Sequence, residues 1–331
     1  MAMELCCRGA TSTTTSLASI SWSNSISSNS VHPTSVRICQ PKRAIKVLSL
    51  ATNSNNNGNG STNQPHKGNQ MTVSITGATG FIGKRLVQRL HQENHRVRVL
   101  TRSKSKAQLV FPVREFPGIV IAEEPEWKDC IRGSTAVVNL AGTPVSTRWS
   151  SEIKKEIMQS RINVTSKVVD LINNSQNDVP PKVLVSATAV GYYGSSETQV
   201  FDERSPPGND YLARVCKEWE GRALKVNKDV RVALIRIGVV LGKDGGALGV
   251  INGTAPNPVR LTEMCEQLGN SLGRPSWLPV PEFALKAVLG EGASVVLEGQ
   301  RVIPVRAKEL GFSFKYPYVK DALKAVVCSD K

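Results

Sequence analysis

The chain has 331 residues, 40% of them hydrophobic, and a formal net charge of +15 at pH 7. That length allows one large domain or two smaller ones. No apolar run reaches the ~18 residues a membrane-spanning helix needs. The basic residues are spread along the chain and aromatic residues make up only 5%, which argues against a base-stacking nucleic-acid surface, although the positive surface suits phosphate-bearing small molecules.

Residues 1–70 read as a transit peptide followed by a disordered linker. Thr11–Ser30 is mostly Ser and Thr, Asn53–Asn63 is rich in Asn, Gly and Ser, and six basic residues (Arg8, Arg37, Lys42, Arg43, Lys46, Lys67) face a single acid, Glu4. Such a composition cannot bury enough apolar surface to offset chain entropy, and a basic, Ser-rich, acid-poor leader matches organelle targeting. The expected destination is the chloroplast. The seven cysteines (Cys6, Cys7, Cys39, Cys130, Cys216, Cys265 and Cys328) show no C-x-x-C spacing and read as reduced thiols.

Folded structure is predicted from Met71. Thr72–Thr76 is a short β-rich run ending in glycine, and Phe81–Glu93 carries Phe81, Ile82, Leu86, Val87 and Leu90 at helical spacing. Arg96–Arg102 alternates as a second strand. Further strands are predicted at Thr135–Leu140, Lys182–Ser186 and Val230–Val240, with helices over Ser150–Asn173 and Tyr211–Asn227. Strands alternating with helices imply an α/β fold with a doubly wound parallel sheet of the Rossmann type over 71–250. Past Gly246 prolines interrupt the chain. Two short helices, Leu261–Leu272 and Glu282–Leu289, mark a small, mainly helical C-terminal domain over 251–331.

The connection between the first strand and helix is Gly77-Ala-Thr79-Gly80-Phe81-Ile82-Gly83. In that position Gly77 permits a tight turn, Gly80 admits a diphosphate against bare backbone, and Gly83 lets helix and sheet approach. The helix N-terminus supplies free N–H groups and a partial positive charge. A strand before the glycines and a helix after them make this a dinucleotide site. The second strand ends in Thr101-Arg102 where an NAD-binding protein would carry an acid. Arg102 can pair with a 2′-phosphate, which favours NADP(H). The alternative is that Arg102 is a solvated surface charge.

Several stretches then carry a resemblance. Thr76–Gly83, Asn139-Leu140-Ala-Gly142 and Arg236–Gly242 resemble the NAD(P)-dependent epimerase/dehydratase family of short-chain dehydrogenases. Arg148-Trp149-Ser150, Cys216–Glu220, Arg274–Pro281, Leu297–Pro304 and Gly311–Phe314 resemble an atypical branch with its own C-terminal domain, including plant plastid-division members. The resemblance implies an NADP-dependent oxidoreductase of unknown substrate that works in chloroplast division. It further implies residence in the stroma, peripheral to the inner envelope membrane. A non-catalytic regulator on the same fold is the competing reading.

The resemblance also locates further site residues. Asn139 and Leu140 pass near the nicotinamide ribose. Glu156 and Arg161 lie on a helix beside the cofactor, where Arg161 either reaches a phosphate or sits on a solvated face. Relatives transfer a proton through a Tyr with a Lys four residues on. Lys217 fits the Lys position, but Ala213 stands where the Tyr belongs, and Tyr211 is six residues before Lys217. Thr188 and Tyr192, with Tyr193, follow the predicted strand Lys182–Ser186, and either polarise a carbonyl or only pack. Trp149, Trp219 and Trp277 are read as packing anchors. The four histidines form no ligand cluster, so no metal site is expected. Finally, the family pattern continues past Gly242 with a helix, a Trp-Ile-His-x-x-Asp-type segment and another helix. Here Gly245–Leu248 runs straight on to Gly249–Pro256, which reads as an internal deletion.

Overall fold

The computed structural model describes residues 70–174, 179–240, 253–276 and 278–328. The leader and the proposed deletion join at 246–250 lie outside the described residues, as does Trp277.

Six parallel strands form the sheet: β1 (Thr72–Thr76), β2 (Arg96–Leu100), β3 (Val120–Ala122), β4 (Ala136–Asn139), β5 (Val183–Ala189) and, after a two-stranded excursion, β7 (Arg231–Ile237). Their order is β3-β2-β1-β4-β5-β7. The chain therefore reverses direction of growth between β1 and β4, which pair Val73 with Ala136 through Thr76 with Asn139. In open α/β sheets the crevice outside the carboxyl ends at such a point receives ligands.

Side chains alternate across the strands and feed two cores. One face buries Val73, Ile75, Val97, Val99 and Val138 under α1 (Phe81–Gln92) and α2 (Lys104–Val110), with Phe111 closing the end. The other buries Leu100, Val137 and Leu184 under α3 (Trp127–Ile131), α4 (Ser151–Asn173) and α5 (Tyr211–Ala223). A polar bolt crosses the sheet inside this packing. Asn139 is 0% exposed; its Oδ1 accepts from Thr76 at 2.7 Å, and its Nδ2 donates to Thr165 at 2.8 Å and Ser186 at 3.3 Å. It thus ties β1, β4, β5 and α4 at the sheet's carboxyl edge, where buried polar groups cost heavily unless satisfied.

The short elements α2, β3 and α3 were not expected from the sequence. Three- to seven-residue segments span too few turns to show a period. The strand expected over Val230–Val240 stops at Ile237, and the helix expected over Tyr211–Asn227 stops at Ala223.

The C-terminal region is sewn onto the same body. Its strand β8 (Arg301–Val302) pairs in parallel with β6 (Val200–Phe201). The helix α7 (Glu282–Leu289) ends at Gly290, which bridges Trp149, and the Leu289 carbonyl accepts from the Trp149 N–H at 3.3 Å. Arg148 donates to the Ala287 carbonyl and Lys154 pairs with Glu291. Trp149 packs edge-on against Tyr211 at 5.3 Å, in keeping with an anchor. Two more helices, α6 (Leu261–Leu272) and α8 (Val319–Cys328), pack on each other. Among the described residues no helix is long and apolar enough to cross a membrane.

Candidate functional site

The glycine turn is built by close backbone approach. Gly77 adopts φ +67°, and a Cβ there would lie 2.7 Å from the Leu140 carbonyl group. This pins the turn against the end of β4. Gly83 is tighter: its Cβ would lie 2.3 Å from the Gly77 oxygen and 2.5 Å from the Ala78 Cα. Gly80, the N-cap of α1, is exposed and caps with no side chain. Its N–H donates to the Gly77 oxygen at 3.0 Å. Bare backbone at an open helix N-terminus is what an anionic diphosphate requires. Thr79, Phe81 and Ile82 sit half-buried around it. Leu140 donates its N–H to the Thr76 carbonyl at 3.2 Å, so the sheet continues to the turn.

At the end of β2, the Thr101 hydroxyl accepts from the Ser103 N–H at 3.2 Å, and Ser103 caps α2. Arg102 projects exposed beside this turn and makes no ion pair with the described residues. Its guanidinium is therefore available.

The loop Leu140–Thr143 joins the turn to α4. The Thr143 N–H donates to Ser160 Oγ at 3.1 Å, and its hydroxyl donates to Glu156 at 3.2 Å. Glu156 is exposed and acts on this loop. Arg161 lies against the same loop: a Cβ on Gly142 would stand 3.0 Å from its guanidinium carbon. The Asn139 side chain is spent on the bolt, so what this point offers is backbone, the group expected to pass the ribose.

On the far side of the crevice, β5 runs into a short turn at Val190–Tyr193. The Thr188 hydroxyl donates to Glu220 Oε1 at 3.0 Å. Glu220, 6% exposed, holds Arg236 in a bidentate pair: Nε to Oε1 and Nη2 to Oε2, both at 2.9 Å. Arg236 also donates to the Tyr193 hydroxyl at 3.0 Å and stacks 3.5 Å from the Tyr192 ring centre. Burial alone would favour losing the Arg236 proton. The hydrogen bonds it donates to Glu220 and Tyr193 outweigh it, so its pKa rises. Thr188 is committed to this network, whereas Tyr192 contributes a ring face to it.

Lys217 stands apart from the other expected catalytic residues. It is exposed on α5, and no ion pair or hydrogen bond brings it to Thr188 or Tyr192. The face turned to the Val190–Tyr193 turn after β5 carries Leu212 and Cys216, whose Cβ and Sγ lie 3.3 and 4.0 Å from where a Gly191 Cβ would be. The i, i+4 pair facing the crevice is thus Leu212–Cys216, one position before the expected Ala213–Lys217. A shift of one residue turns a side chain by about 100°. The Cys216 thiol is pushed up to about 11 by burial, against a lowering hydrogen bond with Thr188. Tyr211 does not serve either: its hydroxyl is held by the Lys154 carbonyl. The pairing of Glu220 with Arg236 escaped sequence reading, although Glu220 closes one of the family-like motifs and Arg236 opens another.

A doubly wound sheet with a bare glycine turn at its switch point defines a dinucleotide-binding Rossmann protein. The NAD-dependent epimerase/dehydratase family model matches residues 73–259, and a domain of unknown function matches residues 280–326. The chain belongs to the NAD-dependent epimerase/dehydratase family. It is 68% identical over 305 residues to the epimerase family protein SDR39U1 homolog, chloroplastic, of Arabidopsis thaliana, covering 79% of this chain and 88% of that protein. Mouse epimerase family protein SDR39U1 is 29% identical, with 78% and 100% covered. Among solved structures, human SDR39U1 (isoform2) with NADPH is similar, with TM-score 0.69, 29% identity, and 78% and 100% covered. A Bacillus cereus UDP-glucuronic acid 4-epimerase shares the fold at TM-score 0.60 and 14% identity, with 78% and 98% covered.

Proposed function

We propose that this chain binds NADP(H) and acts as an oxidoreductase on a small carbonyl or sugar-like substrate in the chloroplast stroma. The observation that carries the reading is the uncapped, bare N-terminus of α1 at the switch point, with free Arg102 beside it. The residues present fit the cofactor: Gly77, Thr79, Gly80, Phe81, Ile82 and Gly83 would hold the diphosphate. Thr101 and Arg102 would hold the phosphorylated ribose, and the backbone at Asn139 and Leu140 would flank the nicotinamide side. When bound, the nicotinamide supplies hydride chemistry. The chain supplies orientation, and Tyr192 carries the hydroxyl left to move a proton. The NADPH in the human relative and the chloroplastic designation of the plant relative support cofactor and compartment.

Calorimetric titration with NADPH and NADH tests this. NADPH should bind more tightly, and Arg102→Glu should erase the preference by about tenfold or more, the worth of a charge-assisted hydrogen bond. Absence of NADPH uptake, or an unchanged preference in the variant, refutes it.

A second reading is a non-catalytic NADP-binding regulator of plastid division, peripheral to the inner envelope. Leu212 and Cys216 on the crevice face, in place of an acid–base pair, favour it. NADPH oxidation across a carbonyl panel separates the two: turnover abolished by Tyr192→Phe supports the enzyme, while binding without turnover supports the regulator. Altered plastid number on depletion in plants tests the division role.

We also infer that the chain lacks an internal segment carried by its relatives. The 305-residue match to the plant relative takes up 79% of 331 residues, roughly 40 positions fewer than it spans. The half-buried flank of β7 is consistent with a missing cover. Sequencing the transcript across Gly246–Val250 tests it.

A further inference from the structure

Tyr192 is half-buried, and its hydroxyl has no hydrogen-bond partner among the described residues. The rest of the residue is fixed. Its carbonyl accepts from the Gly208 N–H at 2.9 Å. Gly208 in turn packs so close to Gly194 that a Cβ on it would lie 2.7 Å from the Gly194 Cα. The Tyr192 ring meets Tyr193 edge-on at 5.4 Å, and Tyr193 stacks on Phe201 at 5.3 Å. Val302 of the C-terminal region joins the same cluster. Over the face of the Tyr192 ring lies Arg236, its guanidinium carbon 3.5 Å from the ring centre.

Arg236 is itself immobilised. Glu220 takes Nε and Nη2 at 2.9 Å each, and the Tyr193 hydroxyl takes Nη1 at 3.0 Å. A guanidinium is a plane that lies well on an aromatic face, and its charge is attracted to the ring. The carboxylate thus fixes the plane, and the plane fixes the ring. Stability alone does not call for charges here, since apolar side chains of similar volume serve a core at least as well as a buried ion pair. A ring held by backbone, edge and face, with its hydroxyl left unbonded, has the arrangement of a preorganised reacting group. Displacing such a group by about 1 Å can cost about a hundredfold in rate. Glu220 also accepts from the Thr188 hydroxyl, so one carboxylate orders two hydroxyls beside the crevice.

We propose that Arg236 is a positioning residue: locked by Glu220, its guanidinium is the seat that holds the Tyr192 ring so that the phenol hydroxyl is presented to the substrate. This rests on the oxidoreductase reading above, in which Tyr192 moves the proton, and Arg236 acts through Tyr192.

Two variants of the full chain separate a seat from a strut. Arg236→Lys keeps a cation beside Glu220 but loses the plane. Glu220→Leu combined with Arg236→Met removes both charges and keeps the packing. NADPH oxidation is measured in each with a carbonyl compound that the parent turns over. In both, kcat should fall by about tenfold or more, with KM and NADPH affinity within about threefold of the parent. Tyr192→Phe should cost at least about fivefold less in the Arg236→Lys background than in the parent, because the hydroxyl there is already displaced. A folded variant with kcat within about twofold of the parent overturns the proposal, and so do independent, multiplicative losses for Arg236→Lys and Tyr192→Phe. A parent that turns over no carbonyl compound sinks the oxidoreductase reading by itself. The seat is then decided by fluorine NMR of the chain carrying 3-fluorotyrosine at position 192. A resonance that shifts on adding NADPH, and loses that response in Arg236→Lys, keeps the seat; a response absent from the parent, or unchanged in the variant, ends it.

Discussion

Removing the Glu220 carboxylate should destabilise the fold more than any surface ion pair could. Both side chains of the pair are largely shielded, at 7% exposure for Glu220 and 15% for Arg236. Glu220→Ala leaves the guanidinium buried without its counter-charge and strips the acceptor from Thr188. Breaking a buried pair from one side costs about 3–5 kcal/mol, because the surviving charge is left desolvated. For a folded body of this size that corresponds to a fall in melting temperature of roughly 10 °C. Exposed pairs such as Arg89–Glu93 are worth at most about 1 kcal/mol. Replacing both partners, as in Glu220→Leu with Arg236→Met, should recover most of the loss, since neither charge then remains to be solvated. The Thr188 hydroxyl would lose its bond to Glu220 and the Tyr193 hydroxyl its bond from Arg236, at about 1 kcal/mol each. Urea unfolding followed by circular dichroism measures all three variants in a double-mutant cycle. A single variant within about 1 kcal/mol of the parent, or a double variant as unstable as the sum of the singles, would refute the reasoning.

Gly83→Ala places a Cβ on immovable backbone atoms of the turn, so NADPH affinity should fall by about tenfold or more, read by calorimetry; retained affinity would show that the turn can shift. Cys216 makes stability fall at alkaline pH: its folded pKa of about 11 stands above the 9.0 of an ordinary thiol. The stabilisation is whole below pH 9 and is lost as pH rises through 11, about 3 kcal/mol in all. Cys216→Ala should flatten that slope in urea midpoints measured from pH 8 to 11, and an unchanged slope would assign it to another group. Asn139→Leu removes one hydrogen bond each from Thr76, Thr165 and Ser186 and should cost about 2–4 kcal/mol; a midpoint within error of the parent would show those hydroxyls re-pairing among themselves.

What the sequence by itself determined is local. Alternation in Thr72–Thr76, helical spacing in Phe81–Gln92 and three glycines between them specify a turn that only one backbone geometry satisfies. The Arg at the end of β2 needs no long-range information either, because its place follows from the strand that precedes it. What only the tertiary structure decided is which way side chains look. Lys217 and Cys216 are neighbours in sequence, yet the burial of Val215, Cys216 and Trp219 against the sheet turns one outward and the other into the crevice. Glu220 and Arg236 lie 16 residues apart, on a helix and a strand that meet only once the sheet is wound. Tyr192 meets the Arg236 guanidinium only when β7 lines up beside β5. Period and turn chemistry are written within a few residues, whereas burial of a charge depends on what the rest of the chain brings to it.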